Sequence, residues 1–206
     1  VIQTLIDGGP VMIPIGLCSI VALAVFVERL WALRSARVAP PALIRQVRDL
    51  ARQRRVDEAL QLVRGTDVAY SRLARAALLG AGASRAVLKE RVEEVGRREA
   101  AELEWGVPVI GTIASIGPLL GLLGTVSGMI QTFSVIQTGG IGDPGALAGG
   151  ISEALITTFA GLVVGIPAMV GNRYLLARVD RFVLALEEAA LDLVDTIAGD
   201  GEITET

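Results

Sequence analysis

WGVPVIGTIASIGPLLGLLGTVSGMIQTFSVIQTGGIG, residues 105–142, and ALITTFAGLVVGIPAMVGN, residues 154–172, contain no charged side chain. A helix needs about 20 consecutive apolar residues to cross the hydrocarbon core of a bilayer, and each stretch supplies that length. Between them GGIGDPGALAGG, residues 139–150, is a Gly-rich connection too short for a domain. The two stretches therefore read as a membrane hairpin. A further uncharged run, VMIPIGLCSIVALAVFV at 11–27, reaches spanning length with Trp31 and Leu33. Its basic residues follow the apolar run and no small-residue cleavage site comes next, so it reads as a span and not as a cleaved signal.

Composition agrees with a membrane protein. Mean hydropathy is +0.57 and 52% of residues are apolar, yet only 4% are aromatic and 24 are glycine. Such a chain builds its apolar mass from Leu, Val, Ile and Ala among small residues, which suits helices packing closely in lipid. There is no histidine and one cysteine, Cys18. That excludes an intrachain disulfide, histidine metal sites and Ser-His-Asp catalysis. No nucleophile and base can be paired in the spans, so the expectation is a protein that is not an enzyme, with no catalytic residue, metal or cofactor.

Charge distribution gives the spans a direction. Sixteen of the 19 Lys and Arg residues lie between Arg29 and Arg98, and Arg173, Arg178 and Arg181 follow the last span. By the positive-inside rule the basic middle segment and the C-terminus face the cytoplasm, and the N-terminus and hairpin turn face outward. The expected layout is a periplasmic N-terminus at 1–10, a first transmembrane helix at 11–33 and a cytoplasmic helical segment at 34–104. A second transmembrane helix follows at 105–136, then a periplasmic turn at 137–149, a third transmembrane helix at 150–172, and a cytoplasmic helix and tail at 173–206.

In the middle segment Leu43, Ile44, Val47, Leu50, Leu60 and Val63 recur at helical spacing against an Arg-rich face, predicting two short amphipathic helices after Pro40-Pro41. RQVRDLARQRR, at 45–55, is a solvated helix face near a membrane in preference to a nucleic-acid site. From Ser84, a residue suited to an N-cap, Val87, Leu88, Val92, Val95 and Leu103 form a stripe leading to the second span. A similar stripe, from Leu175 to Val194, follows the third. Both membrane helices are expected to continue into the cytoplasm as a helical stalk.

Few residues in the spans can carry chemistry. Glu153 is the embedded carboxylate, since Asp143 belongs to the Gly-Pro turn. An acid in the bilayer costs about 2.5–3.5 kcal/mol on insertion scales and normally faces a cavity or a partner. Thr125, Thr132, Thr157 and Thr158 add hydroxyls. On a helical wheel Thr125 and Thr132 share a face, and so do Glu153 and Thr157, whereas Thr158 is turned about 140° from Glu153. A membrane threonine alone is commonly bonded to its own backbone, but four beside one acid suggest a polar pathway. Gly117, Gly121, Gly124 and Gly128, with Gly161 and Gly165, are spacings that let helices approach closely. GLLGTVSG at 121–128 lacks the lysine and preceding strand of a phosphate loop. Pro108, Pro118 and Pro167 are candidate kink positions.

The hairpin sequences LGLLGTVSGMIQTF, 120–133, and GISEALITTFAGLVVGIPAMV, 150–170, closely resemble the signature of the MotA/TolQ/ExbB proton channel family. GGPVMIPI and VERLWALR around the first span resemble the ExbB and TolQ branch. The resemblance implies an all-α membrane protein with three transmembrane helices, the second and third extended into a cytoplasmic bundle, assembled as a homopentameric ring. It implies an ExbD/TolR-like single-span partner dimer whose membrane Asp accepts protons, with a TonB/TolA-like transducer beyond it. By the same resemblance the proton pathway contains Thr125, Glu153 and Thr158, with Thr132 and Thr157 as further candidate pore-lining residues. Thr157 departs from the small apolar residue usual there. The implied location is the bacterial inner membrane, and the implied work is proton-driven, energising TonB-dependent outer-membrane transport. Envelope maintenance and gliding are alternatives within the family, and a non-conducting membrane scaffold is the alternative outside it. Protons are favoured over sodium because no carboxylate cluster is present.

Overall fold

A computed structural model describes residues 8–139 and 144–199. All regular structure among them is helical. In chain order the helices are α1 (Met12–Ala32), α2 (Ser35–Val38), α3 (Pro41–Arg52), α4 (Val56–Arg64), α5 (Ala69–Leu79), α6 (Arg85–Glu104), α7 (Val107–Gly139) and α8 (Pro144–Ala198). Three of them, α1, α7 and α8, are long and apolar enough to cross a membrane. The helices α7 and α8 run further toward each other than the expected turn at 137–149 allows. Asp143, assigned to that turn from the sequence, lies outside the described residues, as do 1–7 and 200–206.

One compact unit comprises the N-terminal part up to Arg29 together with 106–175. Its outward faces are apolar: Ile13, Ile20 and Leu23 on α1, Leu119, Ile130 and Phe133 on α7, and Leu155, Phe159 and Val170 on α8 are exposed. Helices satisfy their backbone groups internally, so such surfaces suit lipid and not water. Pro108 falls in the first turn of α7, where a missing N–H costs nothing, so the kink considered there does not arise. Pro118 and Pro167 do lie inside their helices.

The other unit comprises 30–105 with the described residues from 176 onward. Here α3 and α4 are the two amphipathic helices that the spacing predicts, burying Leu43, Val47, Ala51, Ala59 and Val63. Between them the chain reverses through Arg54 at φ 59°, with Arg55 N–H bonded to Leu50 O at 3.0 Å and Arg54 N–H to Ala51 O at 3.0 Å. This is the Schellman helix ending, with arginine in the left-handed position that glycine normally takes. Tyr70, Leu73, Leu78 and Leu88 join Leu186, Leu193 and Val194 of α8 in a continuous core. Each large apolar side chain buried this way contributes about 1.5–3 kcal/mol. Ser84 is the N-cap of α6 without a side-chain cap bond, and Val87 is exposed, so the α6 stripe is narrower than the sequence suggested.

The stalk expected from the second span is interrupted. Helix α6 ends at Glu104 and α7 begins at Val107, with Trp105 at ψ 137° and Gly106 at φ +76° between them. A left-handed residue cannot continue an α-helix, and glycine is the residue that adopts it without strain. Helix α8, by contrast, is unbroken from Pro144 to Ala198.

Candidate functional site

The hairpin of α7 and the first part of α8 is built on small residues. A β-carbon placed on Gly117 would stand 3.2 Å from Gly161 O and 3.3 Å from Gly165 Cα. On Gly121 it would stand 3.0 Å from Thr157 O and Thr158 Cα, and on Gly128 2.8 Å from Gly150 O. On Gly124 it would collide with the side chain of Thr157. These contacts define one antiparallel register that pairs 117 with 165, 121 with 161, 124 with 157, 128 with 154 and 132 with 150. Backbone therefore meets backbone along the hairpin, where dispersion, and not a hydrophobic gradient, supplies the attraction.

The register assigns each threonine a position. Thr132 is buried, donates its hydroxyl to Gly128 O at 2.9 Å and fills the space beside Gly150. Thr157 is 1% exposed and donates to Glu153 O at 2.8 Å and Ala154 O at 3.0 Å while its Cβ and hydroxyl oxygen seat on Gly124. Thr125 donates to Leu122 O at 2.6 Å and is half-buried. Thr158 differs from these three, because its hydroxyl donates across the helix pair to Gly121 O at 3.1 Å. In an α-helix the carbonyl of 121 also receives the backbone N–H of 125, so the Thr158 hydroxyl and the Thr125 N–H share one acceptor.

On a wheel of about 100° per residue, Thr125 and Thr158 each lie about 60–70° round from their helix's glycine stripe, and in an antiparallel pair those offsets fall on the same side. Glu153 lies on the opposite side of α8, half-buried, with its carboxylate against Gly9 in the turn that precedes α1. Thr125 and Thr158 are thus brought together within one chain, and Glu153 is set apart from them.

Charge is scarce in this unit. Among its described residues the charged side chains are Glu28, Arg29, Glu153 and Arg173. Arg29 is 8% exposed and binds the Glu28 carboxylate through Nε at 2.5 Å and Nη2 at 2.6 Å. That pair stands at the far end of α1, about 30 Å of helix from Gly9. Asn172, near the same end, packs its amide onto Gly111, with Nδ2 and Oδ1 3.2 and 3.3 Å from where a β-carbon would be. Sequence reading missed both Gly9 and the Asn172–Gly111 contact. The run Gly8-Gly9-Pro10 was the available signal for the former, as a turn immediately before an apolar helix.

Beside the hairpin, α1 leaves an apolar cavity of about 370 Å³ lined by Ser19, Phe26, Ile110, Val164, Pro167 and Gly171 among others. Phe26 reaches Gly171, its ring 3.1 Å from the position of a β-carbon there. No cluster of three or more Cys, Asp and Glu residues suited to a metal ion occurs among the described residues.

Residues 65–188, which include both hairpin helices up to Glu188, match the model of the MotA/TolQ/ExbB proton channel family. The chain belongs to this family. Named relatives lie on the ExbB and TolQ side of the family. The biopolymer transport protein ExbB of Neisseria meningitidis serogroup A is 31% identical over 187 residues, covering 82% of this chain and 84% of that protein. A biopolymer transport protein called ExbB-like 1 from Synechocystis is 35% identical over 175 residues, 84% of this chain and 69% of the relative. The Tol-Pal system protein TolQ of Haemophilus influenzae is 33% identical over 116 residues, about half of each chain. As a member of this family the chain is an all-helical membrane protein of the ExbB/TolQ type, and the three apolar helices agree with that.

Proposed function

We propose that this protein is the multi-span subunit of an inner-membrane motor that converts proton-motive force into mechanical work, in the manner of ExbB. The observation that carries the reading is the Thr158 hydroxyl bonded to the Gly121 carbonyl, with Thr125 on the same side of a charge-poor hairpin. Two hydroxyls grouped there can exchange a local bond for one to a protonated or ionised carboxylate supplied by a partner helix. A homopentameric ring would bring five such sides around a single-span partner dimer of the ExbD/TolR type bearing a membrane Asp. Each proton moved is worth about 2.3 kcal/mol per 100 mV, so a few suffice to shift the partner within the ring. A TonB- or TolA-like transducer would carry that motion outward. The N-terminus would face the periplasm and the C-terminus the cytoplasm, in keeping with arginines 29 and 173 at one end of the hairpin unit and Glu153 at the other.

The test is proton flux into proteoliposomes holding the complex with its partner. Thr158→Val removes the donor at nearly constant volume and should abolish flux while the assembled complex keeps its mass. Thr158→Ser should retain most of it. Unaltered flux in Thr158→Val would reject the pathway. One observation favours a non-conducting scaffold as the second reading: all four threonine hydroxyls are satisfied by backbone carbonyls, which is how purely structural threonines behave. The same flux measurement separates the two, since a scaffold conducts nothing in any variant.

A further inference from the structure

Two glycines precede α1, and both are in contact with α8. Gly9 has φ +67°, and the space where its β-carbon would stand is taken by the Oε1 atom of Glu153, with the Glu153 Cγ 3.5 Å away. A β-carbon on Gly8 would lie 3.2 Å from Ile156 Cγ2, one turn further along α8, and 2.5 Å from Met12 Cγ. The turn is itself wound tightly onto α1, with Met12 N–H bonded to Gly9 O and Ile13 N–H to Pro10 O, each at 3.2 Å. Pro10 restricts the backbone there further. The seat is thus a fixed turn, and it is glycine at 9 that makes room for a carboxylate.

We propose that Gly9 is the positioning residue for Glu153, so that the N-terminal turn of α1 and the carboxylate move as one unit, a latch between the first and third spans. The inference rests on the reading of Glu153 as a functional carboxylate. Its consequence is that Glu153 can swing toward the side of α8 occupied by Thr158 only by leaving its seat, because the two positions are about 140° apart on the helix. The other charged side chains among the described residues of α1, α7 and the first part of α8 are Glu28, Arg29 and Arg173, all toward the opposite end of α1. None competes for Glu153 at this seat.

The experiment measures how fast the hydrophobic carbodiimide dicyclohexylcarbodiimide modifies position 153, read by mass spectrometry on the full chain in complex with its partner. Gly9→Ala puts a methyl group where Oε1 now sits and should expel the carboxylate, raising the labelling rate at least about fivefold, the factor that accompanies a preference of about 1 kcal/mol. Asp is one methylene shorter, so Gly9→Ala combined with Glu153→Asp should label at the rate of Glu153→Asp alone. That rescue separates loss of the seat from general disruption of the turn. Gly16→Ala, in open space on α1, is the control. Labelling in Gly9→Ala at the wild-type rate overturns the latch, as does a double variant labelled faster than Glu153→Asp alone. Proton flux in Glu153→Gln tests the underlying reading separately: undiminished flux there rejects Glu153 as functional whatever the labelling shows.

Discussion

Replacing Gly161 by alanine should separate the hairpin helices. The new β-carbon would stand 2.6 Å from the Gly117 carbonyl oxygen, 2.9 Å from Gly121 Cα and 3.0 Å from Gly121 N. All three are backbone atoms, so no side-chain rotation can make room. Restoring an ordinary contact of 3.4 Å at the nearest atom requires the helices to part by about 0.8 Å. That movement would stretch the bond from Thr158 to Gly121 O from 3.1 Å to about 3.9 Å, beyond hydrogen-bonding reach. Overpacking of this kind costs about 1–3 kcal/mol. Alanine's higher helix propensity offsets about 0.5–1 kcal/mol of it. The net loss is about 0–2.5 kcal/mol, and its middle, about 1 kcal/mol, shifts the folding equilibrium about fivefold. The assay is unfolding of the purified full chain in detergent, followed by circular dichroism, with Gly149→Ala beside it. Gly149 lies on the same helix with nothing within 4 Å, so its replacement should be neutral or slightly stabilising. If the two substitutions behave alike, backbone-to-backbone contact is not what holds the hairpin, and the register argument fails.

Other consequences concern the second unit. Glu99 is 4% exposed and receives Arg72 through Nε at 2.5 Å and Nη2 at 2.7 Å, a geometry that holds the guanidinium well above its ordinary pKa. Arg72→Ala should cost about 1–3 kcal/mol, less than for a fully enclosed pair because the Arg72 side chain is 41% exposed. Combining it with Glu99→Leu should recover most of that loss, as a thermal-shift double-mutant cycle would show. The Tyr70 hydroxyl is enclosed without a hydrogen-bond partner among the described residues, so Tyr70→Phe should unfold at the wild-type temperature or slightly above it. Burial raises the Tyr70 pKa, ahead of the Asp192 charge. The folded state therefore favours the neutral phenol, and stability present below pH about 10 is lost as pH rises beyond it. Tyr70→Phe should lessen that alkaline loss in a pH series of unfolding midpoints.

Several features are legible in the chain's residues alone. The uncharged runs at 105–142 and 154–172 demand helices, because only helices satisfy their own backbone in lipid. The spacing of Leu43, Val47, Ala59 and Val63 defines two amphipathic helices, and the wheel separates Thr158 from Glu153. Other features have no local signal. Arg54 occupies a left-handed helix ending without glycine, so nothing in composition marks that turn. The interruption at Trp105–Gly106 does have one, a glycine two residues before Pro108, but a reading by apolar periodicity passes over it. Val87 fits the α6 stripe by spacing yet stays exposed, since periodicity describes a face and not what covers it.

Sequence by itself determined that this chain is a helical membrane protein of the MotA/TolQ/ExbB family with a polar hairpin, because apolar length, charge placement and short motifs are local properties. Which hydroxyl reaches across to the neighbouring helix was decided only by the tertiary structure. Four threonines look alike along the chain, and the antiparallel register that glycine contacts impose turns Thr158 alone toward Gly121 O. The same holds for the seat of Glu153 on Gly9, residues separated by most of the chain. A contact of that kind depends on how two backbones approach, and the side-chain pattern along either helix does not encode that distance.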